Sequence, residues 1–365
     1  MLSPDEILPW LKENVKGMRL SRLKTLAAIV PAAMELCGVS VHSLGRAMNT
    51  QTTAKHNIKR VERFLKNAGV ECAALAQAIF DAFAPKEGPV LVLADWTDVP
   101  AGKLLVFALP CNGRSIPFFV KVVPKKVGEG ELVRAENEAL KALKHICRHR
   151  SHVIIVADRG FGNQRWLQAV CALRFHFVQR ISNVFNVDTE RHIGALKELN
   201  LRKGKPVRDW GHGTIGDDES IAGRLVTAYD PAAKEPWYLV TDMDDFTALE
   251  VVSIYRRRWW IETLFRDEKN RDWGLGLANV HLKQHQRYER LFYIVAFAFI
   301  LLSAHGAAAE LDGFDKGLKA NTRKVRVLNL LRMGYHYIQR KGAAILYAFA
   351  QLRKLANKQQ APNWG

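Results

Sequence analysis

The chain has 365 residues, about half of them hydrophobic and a quarter charged, enough for one large domain or two to three ordinary ones. Lys and Arg number 54 against 36 acids, a formal net charge of +18, which suits a polyanionic partner because each cation set against a phosphate releases counterions. Five scattered cysteines without a CxxC pair argue against a disulfide frame and fit reduced thiols in a cytoplasm. His145, Cys147 and His149 lie close together, but no second ligand cluster accompanies them, so a zinc site is not expected.

Residues 1–85 read as a helical DNA-binding domain. The opening MLSPDEILPWLKENVKG carries acids and lacks an apolar signal-peptide run. LSRLKTLAAIVPAAMELCG has helical spacing and a glycine stop at Gly38. VSVHSLGRAMN and KHNIKRVERFLKNAG follow, and the latter gathers Lys55, Lys59, Arg60, Arg63 and Lys66. A basic helix in a small helical module suits phosphate contact or groove insertion, while a solvated helix face is the plainer alternative. PKEGP, at Pro85 to Pro89, reads as a linker.

From there to about residue 310 the expected class is α/β. PVLVLADWT, KLLVFALP and SIPFFVKVVP are strand-like, the last two separated by the turn residues Asn112 and Gly113. LVRAENEALKALKHICRHR is a helix, HVIIVAD a strand, NQRWLQAVCAL a helix and RFHFVQRI a strand. Residues 183–243 are rich in turn residues and short β-like runs, and read as a β-rich insertion. FTALEVVSIYRRRWWIETLFRDEKNRDWG reads as one long helical stretch. Leu291 to Ala309 is long and apolar enough to span a bilayer, but a buried core helix gives the same pattern and is the preferred reading, with no membrane partner. Residues 311–365 read as a basic helical C-terminal region.

Asp95 and Asp158 each end a run of small or apolar residues, and an acid at a strand's carboxyl end can look into a crevice. With Glu262 on the following helix, three oxygen ligands would suit hard cations such as Mg²⁺ or Mn²⁺. Two such ions about 4 Å apart would serve phosphodiester cleavage. A strand-end turn or helix cap is the preferred explanation of either aspartate taken alone. Asp98, three residues on, is a rival to Asp95 but reads as part of a turn. Tyr255, Arg258, Glu262 and Lys269 have the spacing Y-x2-R-x3-E-x6-K, which on one continuous helix falls within a sector of roughly 60°. Arg266 lies close to that stripe. A carboxylate ringed by cations and a phenol can set DNA phosphates beside a metal; an exposed amphipathic helix is the alternative.

The same residues carry a resemblance. The Y-R-E-K spacing, the DRG-F at Asp158 and the D-W-T at Asp95 resemble, in order, the motifs of bacterial DDE transposases of insertion-sequence family four, the transposon-five-like group. The resemblance spans about residues 90 to 270. It implies an RNase H-like core and Asp95, Asp158 and Glu262 as catalytic, metal-binding triad for two Mg²⁺ or Mn²⁺ ions, while the helix stripe itself puts Tyr255, Arg258 and Lys269, with Arg266 beside them, on DNA. It also implies a β-rich insertion whose Trp237 stacks on an extruded base. The implied activity is cut-and-paste transposition: nicking at the element's end, a hairpin intermediate and joining of the 3′ end to target DNA. Two transposon ends imply a homodimer on double-stranded DNA, in a bacterial cytoplasm at the nucleoid. An RNase H-like nuclease that cuts without joining, a transposase-derived DNA-binding repressor and a basic scaffold protein are the other readings.

Overall fold

The computed structural model describes residues 2–35, 38–162, 164–199, 201–216, 220–269, 275–320, 322, 327–342 and 344–360. Cys37, residues 270–274 of the expected long helix, and residues 321 and 323–326 of the basic C-terminal run lie outside them.

Five helices come first: α1 (Pro4–Asn14), α2 (Leu20–Met34), α3 (Val41–Ala47), α4 (Ala54–Lys66) and α5 (Cys72–Phe83). Between α3 and α4 the chain turns around Asn57, whose side-chain oxygen accepts from the hydroxyls of Thr50 (2.9 Å) and Thr52 (2.8 Å). That turn fixes α4 so that Val61, Phe64 and Leu65 are buried while Lys59 and Arg63 face solvent. The alternation of apolar and basic residues along α4 dictates this division.

Strands β1 (Val90–Val99), β2 (Gly102–Cys111) and β3 (Arg114–Val123) form an antiparallel meander. The β2–β3 hairpin closes through Asn112 and Gly113, both at positive φ (41° and 77°), the conformation a two-residue hairpin turn demands and Asn-Gly supplies. Helix α6 (Glu129–Ile146) leads to β4 (Val153–Ala157), and α7 (Gln164–Ala172) to β5 (His176–Ile181); β4 runs parallel to both β1 and β5. The next five strands are β6 (Asn186–Thr189), β7 (His192–Ala195), β8 (Arg208–Ile215), β9 (Ile221–Ala228) and β10 (Trp237–Thr241). They do not form a separate layer. β10 pairs antiparallel with β5, so one ten-stranded sheet runs in the order β3-β2-β1-β4-β5-β10-β9-β8-β6-β7.

Helices α8 (Ala248–Arg256) and α9 (Trp259–Lys269) follow where one long helix was expected. The chain tightens at Arg257 and Arg258: the amides of Arg257, Arg258, Trp260 and Ile261 each bond to the carbonyl three residues back. A tightened turn of this kind preserves apolar periodicity well enough that sequence spacing does not reveal it. Its effect is to turn Arg258 inward.

The apolar run Leu291–Ala309 is the buried centre of α10 (His285–Leu311), against which α2, α4, α5, β3, α11 (Leu330–Lys341) and α12 (Ile345–Gln360) pack. Its length and composition would allow it to cross a membrane; here its apolar window is wholly buried inside the protein. One hydrophobic core runs from Leu2 through the sheet to Ala356, shared by the N-terminal helices, the sheet and α12. Among the described cysteines, Cys72, Cys111, Cys147 and Cys171 are free.

Candidate active site

Register brings the two aspartates together. The parallel ladder between β1 and β4 ends with Ala94 opposite Ala157, so Asp95 and Asp158 are the next residue on each strand. β1 does not stop there, as its apolar run suggested. Its other edge continues to pair with β2, Asp95 opposite Val106 and Asp98 opposite Lys103, so Asp98 is an exposed strand residue and not part of a turn. Asp95 accepts from its neighbour's amide, Trp96 N (2.8 Å). Asp158 caps the short turn Arg159–Phe161 by accepting from Gly160 N (2.8 Å).

The two C-terminal helices of the core supply the rest. α8 packs over β4, β5, β9 and β10, and α9 over β1, β2 and β3, so the turn between them falls over the β1–β4 junction. Arg258, on that turn, has a side chain only 6% exposed. Its guanidinium donates to Glu262 Oε1 at 2.5 Å, stands 3.4 Å from Asp95 Oδ2 and 3.9 Å from Asp158 Oδ2. One cation is thus shared by all three carboxylates singled out from the sequence.

The electrostatics follow from that arrangement. Burial pushes the Asp95 carboxyl up to about 7; Arg258 pulls it down, while Asp158 and Glu262 add to the rise. Burial works against the Arg258 charge, yet Tyr255, Asp95 and Glu262 outweigh it and hold the guanidinium above its ordinary range. Lys269 lies along the same strand, donating to Thr97 Oγ1 (2.5 Å), two residues from Asp95 and on the same face of β1. Burial lowers the Lys269 ammonium, opposed by Asp98, Glu268 and Asp95.

Other expected residues are distributed unevenly. Tyr255 lies in the last turn of α8, buried, its ring edge-on to Trp237 with centroids 5.0 Å apart. Trp237 is 3% exposed and packed in the core, so its ring face is not presented to solvent. Arg266 is exposed on α9, with a long contact to Asp267 (3.9 Å). Lys59 pairs with Glu62 (3.2 Å), and Arg60 reaches the Lys24 carbonyl (3.5 Å); with Arg63 they lie on α4 and make no contact with the carboxylates.

Several residues at the site escaped the sequence reading. Arg159 and Arg180 both reach Glu235, at 2.8 and 3.0 Å, and Arg180 also donates to the Pro236 carbonyl (3.3 Å). Trp259 is 44% exposed, with the Arg258 guanidinium 5.5 Å from its ring centroid. On the opposite face of β1, Trp96 Nε1 donates to Glu136 of α6 (3.1 Å), which anchors the strand beside Asp95. These pairings join residues up to 76 positions apart, and no local spacing announces them.

Asp95, Asp158 and Glu262 are the oxygen donors that could hold a hard cation. Among the described residues no group of three or more His, Cys, Asp or Glu stands ready to hold a metal ion, and Arg258 lies between the three carboxylates. The chemistry of the donor set still fits: three carboxylates already gathered around one positive group are what Mg²⁺ or Mn²⁺ takes, while soft ligands are missing from the site.

A search of curated proteins finds no match to this chain. A family model described as the transposase DDE domain matches residues 86–301, more than half of the chain and all of β1 to β10, α8 and α9. The matched span contains Asp95, Asp158 and Glu262, and the chain belongs to the transposase DDE domain family.

Proposed function

We propose that this transposase is a cut-and-paste enzyme of the insertion-sequence-family-four type, with an RNase H-like core and with Asp95, Asp158 and Glu262 as its catalytic triad. The observation that carries the reading is the Arg258 guanidinium, shared by three carboxylates from two neighbouring strands and a helix. The strand order β3-β2-β1-β4-β5, with β2 alone antiparallel to its neighbours, supports the core, and β6 to β10 between the second and third acids support the insertion.

The three carboxylates would hold two divalent ions, whose chemistry is to favour in-line attack on a phosphodiester. The protein's own residues do the positioning. Arg258 forks toward the carboxylates and can exchange one of them for a phosphate oxygen, which a guanidinium binds in the same geometry. Lys269, Arg266, Arg159 and Arg180 extend positive charge on either side, and Glu235 holds Arg159 and Arg180 in place. Trp259 offers an exposed ring for base stacking; Trp237 would do so only after leaving Tyr255. On α4, Lys59, Arg60 and Arg63 would bind DNA away from the cleavage point. A homodimer would bring two transposon ends together.

The test is nicking of a labelled duplex carrying the element's own end, with Mg²⁺ or Mn²⁺, by wild type and Glu262→Gln. Metal-dependent cleavage lost in the variant supports the triad; equal cleavage by both removes Glu262 from it. Joining of the freed 3′ end to a target plasmid separates a transposase from a nuclease that only cuts. Binding without any cleavage favours a DNA-binding repressor.

A further inference from the structure

A cavity of about 410 Å³ opens at the far end of β9, lined by Leu201, Arg202, Lys205, Pro206, Arg208 and Tyr229, with Thr227 beneath. It is a built feature. The turn Arg202–Lys205 closes on itself (Lys205 N to Arg202 O, 3.2 Å), and Gly204, at φ +72°, donates its amide to the Tyr229 carbonyl (2.9 Å). Arg208 sits opposite Thr227 in the β8–β9 ladder, and the buried Thr227 hydroxyl accepts from Trp210 Nε1 (2.9 Å).

Its charge is uncompensated. Among the described residues Arg202, Lys205 and Arg208 have no carboxylate within ion-pair distance, since the adjacent acids are engaged elsewhere: Asp209 by Arg224 and Asp230 by Arg256 (2.8 Å). Three exposed cations around one concavity repel one another, a cost that an anion would remove.

Its position ties it to the candidate active site. The segment between β9 and β10 begins with Tyr229 on the cavity wall. Asp230, next along, holds Arg256, two residues before Arg258. Glu235, near the end of the same segment, holds Arg159 and Arg180, and Arg159 follows Asp158. One short segment therefore connects the cavity to both arginine groups around the carboxylates.

From this we propose that the Arg202–Lys205–Arg208 cavity is a further DNA-backbone site, gripping phosphates of the duplex arm that continues past the cleavage point. The proposal rests on the DNA-cutting reading above, and the net charge of +18 fits a protein that touches a polyanion over more than one face.

The experiment is equilibrium binding of a labelled linear duplex of arbitrary sequence across a salt series, without metal, so that phosphate pairing dominates. It compares wild type, the triple variant Arg202→Ala/Lys205→Ala/Arg208→Ala, and the remote control Lys86→Ala/Lys141→Ala, each checked for an unchanged melting temperature. The triple variant is expected to bind about tenfold or more weakly, with a salt slope shallower by roughly 2 to 3, at about 0.9 for each phosphate it no longer neutralises. Lys205→Glu alone gives the same direction should the triple variant fold poorly. A triple variant no weaker than the control overturns the proposal. So does full DNA affinity combined with loss of a response to inorganic phosphate, which would assign the cavity to a small anion. If wild type binds no duplex, the DNA-cutting reading falls as well; if wild type binds and the variant matches it, this proposal falls alone.

Discussion

Arg258 Nη1 stands 3.4 Å from Asp95 Oδ2 although 163 positions separate the two residues, and the same guanidinium bonds Glu262 one helical turn on. The arginine neutralises carboxylates that would otherwise repel one another, and it occupies the space between them. Arg258→Ala should therefore destabilise the metal-free protein by roughly 3 kcal/mol, the lower end for breaking a buried ion pair. It should also raise the melting temperature gained on adding Mn²⁺ above the wild-type gain, because the freed carboxylates then have only the metal to answer their charge. Nicking should fall by about a hundredfold or more, with Arg258→Lys recovering part of the stability but little of the nicking, since an ammonium lacks the fork. A variant that melts like wild type with and without Mn²⁺ would refute this.

The two tryptophans flanking the Tyr255–Arg258 segment make opposite predictions. Trp237 is buried edge-on to Tyr255, so Trp237→Ala should cost about 3–5 kcal/mol in a urea titration. Trp259 is 44% exposed, so Trp259→Ala should cost far less, about 1 kcal/mol or below. If Trp259 stacks on DNA, its loss should nonetheless weaken duplex binding measured by anisotropy. Equal stability losses for both would show that the packing at one of them is misassigned.

Much of this architecture was legible in the residues. The runs VLVLA and VIIVA, each ending in aspartate, marked two buried strands that lie side by side, and Asn112-Gly113 marked the hairpin turn that a positive φ at both positions requires. What stayed hidden depended on partners far along the chain. Helical periodicity reads straight through Arg257 and Arg258, because a tightened turn shifts the following residues by less than the width of an apolar face. Trp237 and Trp259 are the same residue type, and only tertiary packing makes one core and the other surface. The stapling of Arg159 and Arg180 by Glu235 likewise exists only once β5 and β10 pair.

Glu268, one residue before Lys269, gives a pH dependence. It is fully buried on α9 and Oε1 has no hydrogen-bond partner among the described residues. Burial pushes its carboxyl up to about 8, with Lys269 pulling down and Asp267 pushing up. A carboxyl raised in the folded state binds its proton more tightly there than in the unfolded chain. Its contribution is thus complete below about 4.5 and is lost as pH rises through about 8. Glu268→Gln, which cannot ionise, should match wild type near pH 5 and melt several degrees higher near pH 9. A gap that is constant across pH would mean that Glu268 keeps its charge when buried.

The crossing of α10 and α11 yields a prediction about the scaffold alone. A Cβ built on Gly334 would overlap the Leu302 carbonyl oxygen, and one on Gly306 would overlap the Leu330 carbonyl oxygen. Both clashes are with backbone, so a methyl group can enter only if the helices separate. α10 also packs on β3, which supports α9, so separation spreads toward the core and is resisted. Gly334→Ala should therefore cost about 1–3 kcal/mol by overpacking, despite alanine's better helix propensity. Gly317→Ala, where an added Cβ meets nothing within 4 Å, is the matched control and should leave the urea midpoint in place. Because neither position touches the carboxylates, nicking per folded molecule should be unchanged in both. A Gly334→Ala protein as stable as wild type would mean that the two helices yield freely at their crossing.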